Sequence, residues 1–367
     1  MNNEITSLNG IRAKIKEKKI RWQAERTSVS GLSEQEKKMK LGLKLTDKQK
    51  QMVSRLSLDR PEIRAIKKLK YKPAVGLPDS IDWRNVNGAD WTTPVKDQGG
   101  CGSCVAFGTV ATLEALLKIR TYNDASINID LSEAHLFYCG CGDCCNSGWY
   151  MDDACNYLKN NGVPDEDCFP YQDSGVSCAN TCSDWTDRID HTKITNWANT
   201  LDVNTMKDNL ANNGPQITGM AVYEDFFYYS SGIYEYAYGD LAGYHCISVV
   251  GYDDTNACWI CKNSWGPGWG ESGYFRIAYG QCGMDDGFGM WNMEVPSPEG
   301  NGYAQYILVD YDCNSDNRVL WAYAGDAWRY KYLTDDEVAG IAKLLMESCS
   351  VYVYWKEDQL TYISGIK

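Results

Sequence analysis

All 16 cysteines of this chain fall between Cys101 and Cys349, ten of them between Cys101 and Cys182, and none lies in the first hundred residues. Such density usually means disulfides and an oxidising compartment. The chain therefore has a thiol-rich body preceded by a segment of another kind. Charge divides it at the same place. Residues 1–76 carry 20 Lys+Arg against 8 Asp+Glu, and the remainder carries 16 against 41, so the net charge of -13 is a basic arm set against a strongly acidic body. An acidic body with no groove-reading motif excludes nucleic acid as an expected partner. No apolar run approaches the ~18 residues of a membrane span. Residues 1–20 have neither an apolar h-region nor a cleavage site, so no secretory signal is expected within this chain. Either a signal has been trimmed or many thiols stay reduced, and the cysteine density favours the first.

The arm reads as charged helix from residue 5 to about 70, with Ile5, Leu8, Ile11 and Ile15 at helical spacing, a turn at Ser28 to Gly31, and a second Lys-rich stretch opened by Leu32-Ser33-Glu34-Gln35. Two prolines and a glycine in residues 72–78 mark an exposed connection. From Cys104 a proline-free apolar pattern predicts one helix of about four turns. From about Asn213 short β-rich runs separated by Gly, Asp and Asn predict an antiparallel sheet or barrel. Helices followed by strands imply two packed lobes. After a linker at 295–302 the pattern restarts as a small β-β-α-β unit whose helix opens on a capping box of Thr334 and Glu337 and runs to about Ser348.

Only three histidines exist, His135, His191 and His245. An imidazole reaction at neutral pH must use one of them. His135 lies in a helical pattern and reads as a partly buried core residue, and His191 lies in a polar stretch and reads as surface. His245 opens an apolar strand beside a loop, where site residues concentrate. Cys104 follows Gly99-Gly100-Cys101-Gly102-Ser103, a glycine turn that delivers it to a helix N-terminus, where free N–H groups favour a thiolate.

The segments 77–107, 131–139 with 145–148, 214–234, 244–254 and 261–280 together resemble a papain-family cysteine peptidase in its cathepsin-like form. The resemblance spans about residues 77 to 295. It implies an α+β, two-lobed papain-like fold, helical on the left and antiparallel barrel-like on the right. Cys104 precedes His245 by 141 residues and Asn263 by 159, near the ~130 to 150 usual for such enzymes. The implied roles are Cys104 as nucleophile, His245 as base and acid, Asn263 as the acceptor that fixes the imidazole, Trp265 as its shield, and Gln98 as an oxyanion donor with the Cys104 N–H. Asn146, Ser147 and Gly148 would form the substrate ledge, Trp149 and Tyr150 an aromatic edge of the S2 pocket, and Gly219, Tyr244, Cys246 and Trp269 further substrate contacts. Whether Asp285 or Asp286 reaches the S2 floor stays open. The resemblance also implies bridges Cys101–Cys145 and Cys139 with Cys168, Cys178 or Cys182, Cys178 being favoured; Cys282 lacks its usual partner, and at least one thiol besides Cys104 must be unpaired.

Several departures from the family pattern bear on these roles. Val105 replaces an aromatic, Tyr244 precedes His245 where Asp or Asn is common, and Cys246 puts a second thiol by the site. Of the CxxC pairs, Cys258 and Cys261 would point to opposite faces of a strand and Cys101 and Cys104 belong to the catalytic turn; only the CGCGDCC cluster at 139–145 stays open between disulfides, the favoured reading, and a structural metal, and no metal or cofactor is assigned. Asp310-x-Asp312-x-Asn314 has Ser315 where a calcium loop needs glycine and reads as a hairpin turn. Arg21-Trp22-Gln23-Ala24 resembles a cathepsin-B-like pro-segment. The expected organisation is a basic helical propeptide (1–76) acting as intramolecular inhibitor, a papain-like catalytic domain (77–295) and a small α+β domain of unknown role (296–367). The expected activity is that of a cysteine-type endopeptidase made as a zymogen, acting on protein or peptide substrates, monomeric, and secreted or lysosome-like. A catalytically silent binding scaffold and a thiol acyl or amide transferase are the alternatives.

Overall fold

The computed structural model describes every residue except Met1, 55–75, Asn123, Asp190, 297–299, Gln305, 313–316, 325–326, 348–349, 357–358 and Lys367. The described chain divides into two compact units. One combines Met1–Ile119 with Asp124–Val295, and the other combines Arg120–Asn123 with Pro296–Lys367. The arm thus folds within the same unit as the residues of the expected catalytic body.

In the first unit the chain runs α1 (Asn2–Lys18), β1 (Trp22–Ala24), α2 (Glu34–Met39), α3 (Asp47–Ser54), β2 (Ser80–Asp82), α4 (Cys104–Leu116), α5 (Met151–Asn160), β3 (Asn196–Thr200), α6 (Val203–Asn212), β4 (Gln216–Tyr223), β5 (Tyr229–Tyr234), β6 (Leu241–Asp253), β7 (Cys258–Lys262), β8 (Tyr274–Ala278) and β9 (Met290–Glu294). Helix α4 buries almost every side chain, from Cys104 to Leu116, because it is wedged between the other helices and the sheet. The strands form one nine-stranded sheet in the order β1-β5-β8-β7-β6-β4-β9-β3, with β2 on β6. Central β6 is buried from His245 to Tyr252, and β7 is buried along its whole length. The expected two-lobed pattern of helices then strands is what this sheet and its helices form.

The arm departs from the expectation of continuous helix. Beside its helices it supplies β1, which pairs antiparallel with β5, Trp22 opposite Gly232. Trp22 is buried against Tyr234 and Tyr229 and donates its indole N–H to the Glu235 carbonyl at 2.9 Å. Leu8, Ile11, Ala24 and Val29 enter the same apolar cluster as the sheet. Apolar burial and strand pairing therefore hold the arm, in addition to any attraction between its net positive charge and the acidic body. Much of the 72–78 connection lies outside the described residues. At α2, Ser33 Oγ accepts from the Glu36 N–H while the Glu36 carboxylate accepts from the Ser33 N–H. A Ser33→Ala substitution should remove about 1 kcal/mol of local helix stability, read as faster amide hydrogen exchange over residues 34–39 with no change in the rest of the chain.

In the second unit, β10 (Gly300–Tyr303), β11 (Tyr306–Asp312), β12 (Asn317–Ala324), β13 (Ala327–Leu333), α7 (Asp335–Glu347), β14 (Ser350–Lys356) and β15 (Gln359–Ile366) form a six-stranded sheet with one helix. It is richer in strands than the expected β-β-α-β unit. Strands β11 and β12 pair antiparallel up to Asp312 opposite Asn317, a hairpin whose turn lies outside the described residues. The Glu337 carboxylate accepts from the Thr334 N–H at 2.9 Å at the start of α7.

Four disulfides join Cys101 to Cys145, Cys139 to Cys178, Cys141 to Cys144 and Cys168 to Cys182. The CGCGDCC cluster is thereby consumed in bridges. Among the described residues, Cys104, Cys155, Cys246, Cys258 and Cys261 are free and buried, Cys282 is buried, and no group of side chains is arranged to hold a metal ion.

Candidate active site

Two elements meet at the site. The turn 99–103 carries Gly99 at φ +62° and ends with Cys104 as the first residue of α4. From the sheet, β6 supplies His245 and the end of β7 leads into Asn263-Ser264-Trp265. His245 Nε2 and Asn263 Oδ1 lie 2.7 Å apart, and the same oxygen accepts from the Ser264 N–H at 2.8 Å. That second bond fixes the amide with its oxygen toward the ring, so the ring nitrogen facing Asn263 is the protonated one. Trp265 packs 5.0 Å from the His245 ring. Its own back is covered by Phe227, stacked at 5.3 Å, and by Trp269. Trp269 is wholly buried among Phe226, Tyr229 and Phe275. It supports Trp265 from behind and does not line the cleft, contrary to its expected substrate contact.

Gln98 is held by both ends of its amide. Its Oε1 accepts from Ser264 Oγ at 2.7 Å, and its Nε2 donates to the Cys101 carbonyl at 2.9 Å and the Lys40 carbonyl at 3.3 Å. The carbonyl of an arm residue thus sits on the donor expected to serve an oxyanion. Next to it, the Gly42 N–H donates to Cys104 Sγ at 3.3 Å. The sulfur is met there by a donor, where a substrate would bring a carbonyl carbon. Three main-chain bonds extend the contact: Leu43 N–H to Tyr244 O at 3.2 Å, Trp149 N–H to Gly42 O at 2.8 Å, and Lys44 N–H to Trp149 O at 2.9 Å. The arm runs parallel to the ledge at Leu43 and Trp149.

The arm pairs one residue beyond the expected substrate ledge. The main chain that pairs with the arm belongs to Trp149, while Asn146 and Ser147 are exposed. Gly148 serves differently: a Cβ there would come within 2.2 Å of the Gly42 oxygen, so glycine is required for the close pass. Trp149 buries its ring in the helical core and Tyr150 lies beneath Lys44 Nζ, 5.7 Å from its ring centroid. Gly219 leaves room for Leu43 and Phe288, each of which would sit about 2.6 Å or less from a Cβ at that position. Tyr244 packs edge-on to Phe288 at 6.0 Å. Leu43 therefore fills an apolar pocket of Gly219, Tyr244 and Phe288, the last of which the sequence does not single out. Asp285 is unavailable to that pocket, being fully buried and accepting from Trp259 Nε1 and the Gly280 N–H. The Cys246 thiol is turned beneath the site against Gly108 of α4.

Burial under the arm sets the charge state. It pushes the Cys104 thiol up to about 11, against the pull of main-chain N–H groups of Cys246, Gly42 and Val105. Burial also lowers His245 to about 4, opposed by its bond to Asn263. Both groups are neutral near pH 7 while the arm is seated. His135 is buried against Trp185 and Tyr157 and lowered to about 4 by burial, more deeply placed than expected and remote from this chemistry. His191 occupies a turn at φ +61°, half-buried.

A buried cysteine at a helix start, an imidazole fixed by a side-chain amide, and an N-terminal segment threaded through the cleft define a thiol peptidase proenzyme. The sequence model described as papain family cysteine protease matches residues 77–289. Cathepsin B-like CP3 of Giardia intestinalis is 36% identical over 227 residues, 58% of this chain and 74% of that protein. Zingipain-2 of Zingiber officinale is 39% identical over 220 residues, 57% of this chain and 93% of that one. Among solved structures, digestive procathepsin L2 of Tenebrio molitor larval midgut superposes with TM-score 0.63 at 24% identity, over 80% of this chain and 90% of the other. The chain belongs to the papain family of cysteine proteases. It is a cysteine-type endopeptidase made as a zymogen.

Proposed function

We propose that peptide hydrolysis proceeds through Cys104, His245, Asn263 and Gln98 once the arm leaves the cleft. His245 takes the Cys104 proton and the sulfur attacks the substrate carbonyl carbon; the oxyanion forms against Gln98 Nε2 and the Cys104 N–H. Collapse expels the amine, which receives the proton from the imidazolium, and leaves a thioester. Water, deprotonated by His245, then releases the acid and restores the thiol. Asn263 holds the ring without adding charge. The observation that carries this reading is the Lys40 carbonyl on Gln98 beside a Gly42 N–H on Cys104 Sγ, an arm that occupies the groups a substrate would use but runs the other way and brings a donor to the sulfur. An irreversible peptidyl epoxide should label Cys104 in the activated protein and leave the intact zymogen unlabelled, and no label on Cys104 after activation would sink the assignment.

The same contacts support residues 1–76 as propeptide and residues 77–295 as catalytic domain, with 296–367 a separate domain. Leu43 in its pocket supports a leucine-sized apolar residue at P2. The four disulfides support a secreted or lysosome-like site of action, and the complete constellation in one chain supports a monomeric enzyme. An Asn263→Ala substitution should lower kcat by about 10- to 100-fold through loss of imidazole orientation, with KM little changed, measured on a peptide with leucine at P2.

A further inference from the structure

Lys40 lies where the arm crosses from one side of the reacting centre to the other. On one side, Gly42, Leu43 and Lys44 follow the ledge and fill the apolar pocket. On the other, the arm passes over Phe227, the ring stacked on Trp265: Thr27 Oγ1 donates to the Phe227 carbonyl and Lys37 Nζ lies 5.4 Å from its ring centroid. The Lys40 carbonyl rests on Gln98, and because the arm runs toward the pocket, the Lys40 Cα and side chain precede that carbonyl and fall on the Trp265 side. There Lys40 Nζ meets Asp97 Oδ1 at 2.8 Å, with the Lys40 side chain only 8% exposed.

Asp97 holds its position by its own local bonds. Its Oδ1 accepts from the Gly99 N–H at 2.9 Å, and its main chain is bridged to Trp265. This carboxylate is already half-exposed with the arm seated, and when the arm departs it borders the space that receives the residue after the scissile bond. With the arm seated, a hollow of about 280 Å³ adjoins this pair, walled on the arm side by Val29, Leu32, Glu36 and Lys40 and on the body side by Asp97 and Gly99. Departure of the arm removes the first wall and opens Asp97 to an incoming side chain.

We propose that Asp97 makes the leaving-group side of the cleft a cation-accepting subsite, so that the enzyme prefers substrates with Lys or Arg immediately after the cleaved bond (P1′). The preference rests on the peptidase mechanism above and adds to the apolar choice at P2. A partly solvated ion pair is worth a few-fold in affinity, so kcat/KM should favour P1′ Lys over Ala by about three- to tenfold and disfavour Glu by a similar factor.

The test uses the full-length chain activated from its zymogen and a series of internally quenched peptides with leucine at P2 and Lys, Arg, Ala or Glu at P1′. In Asp97→Asn the Lys-to-Ala ratio should fall to about one, and in Asp97→Lys the order of Lys and Glu should reverse. Efficient cleavage of all four peptides at rates within twofold would overturn the Asp97 assignment and leave the peptidase reading intact. Failure to cleave any of them would instead count against that reading. In that event, titration of the activated protein with a synthetic peptide of residues 20–45 and its Lys40→Ala form decides the role of Asp97. A several-fold loss of affinity that disappears in Asp97→Asn supports the subsite, and equal affinity refutes it.

Discussion

Gly42→Ala should produce a zymogen that hydrolyses small peptides without losing its arm. A Cβ at residue 42 would lie 1.8 Å from the Gly102 oxygen and 2.3 Å from the Gly102 carbonyl carbon. Neither is the end of a flexible side chain, and Gly102 cannot retreat because its own free face is against the Cys145 carbonyl, 2.5 Å from where a Cβ would stand. The arm must therefore lift. Lifting breaks the Gly42 N–H to Sγ contact and the two bonds with Trp149, and it draws Leu43 from its pocket. At about 1 kcal/mol net for each hydrogen bond and 2 kcal/mol or more for the leucine, inhibition should weaken by at least 100-fold. Gly10→Ala is the matched control, because a Cβ there meets nothing closer than a Tyr238 ring carbon at 4.0 Å. Active-site titration after full processing checks that both variants fold. A Gly42→Ala zymogen as silent as the unaltered chain would show that the arm is not held by this close pass.

The parts of the site legible in the sequence are those fixed by local chain geometry. The glycine turn before Cys104 and the scarcity of histidine single out the two reacting groups, and KNSWG places Asn263 and Trp265 together. What depends on a neighbour from far along the chain is not legible. The strand Trp22–Ala24 has three residues and exists because the edge of β5 offers it partners. That the arm pairs with the main chain of Trp149 is not legible either, because a resemblance of side chains says nothing about which main-chain groups meet the arm. Ser264 escapes notice because its task is to hold the Gln98 amide, 166 positions earlier. In the second unit the missed strands β13 and β15 carry charged or polar residues between their apolar ones, which blurs the alternation; pairing with β12 and β14 supplies what the pattern lacks.

Acid should release the arm chiefly through His245, and the sign follows from which state holds the proton. With the arm seated, His245 is buried and protonates only near pH 4. With the cleft open it can protonate nearer the ordinary ~6.5. Between these values the open state binds more protons, so falling pH favours opening, by up to about 3 kcal/mol across the interval. Above about pH 6.5 the neutral ring is common to both states and the bias vanishes. Release, followed as the appearance of processed enzyme, should therefore accelerate steeply from pH 6.5 to about 4 and then level off. A latch made of arm cations on body carboxylates would also loosen in acid, but it would be screened by salt, whereas a buried imidazole is not. Raising the salt from 0.05 to 0.5 M at pH 7 should thus change release little, while acidification at either salt should drive it. Cys104 gives a second readout: iodoacetamide should modify the zymogen thiol at a rate that climbs about tenfold per pH unit from 6 to 9, since burial holds that thiol near 11. The open enzyme, its thiol relieved of burial, should react faster and reach its plateau near the ordinary ~8.5. Salt-driven release at neutral pH, or parallel alkylation profiles for the two forms, would move the switch away from His245 and back to the charged arm.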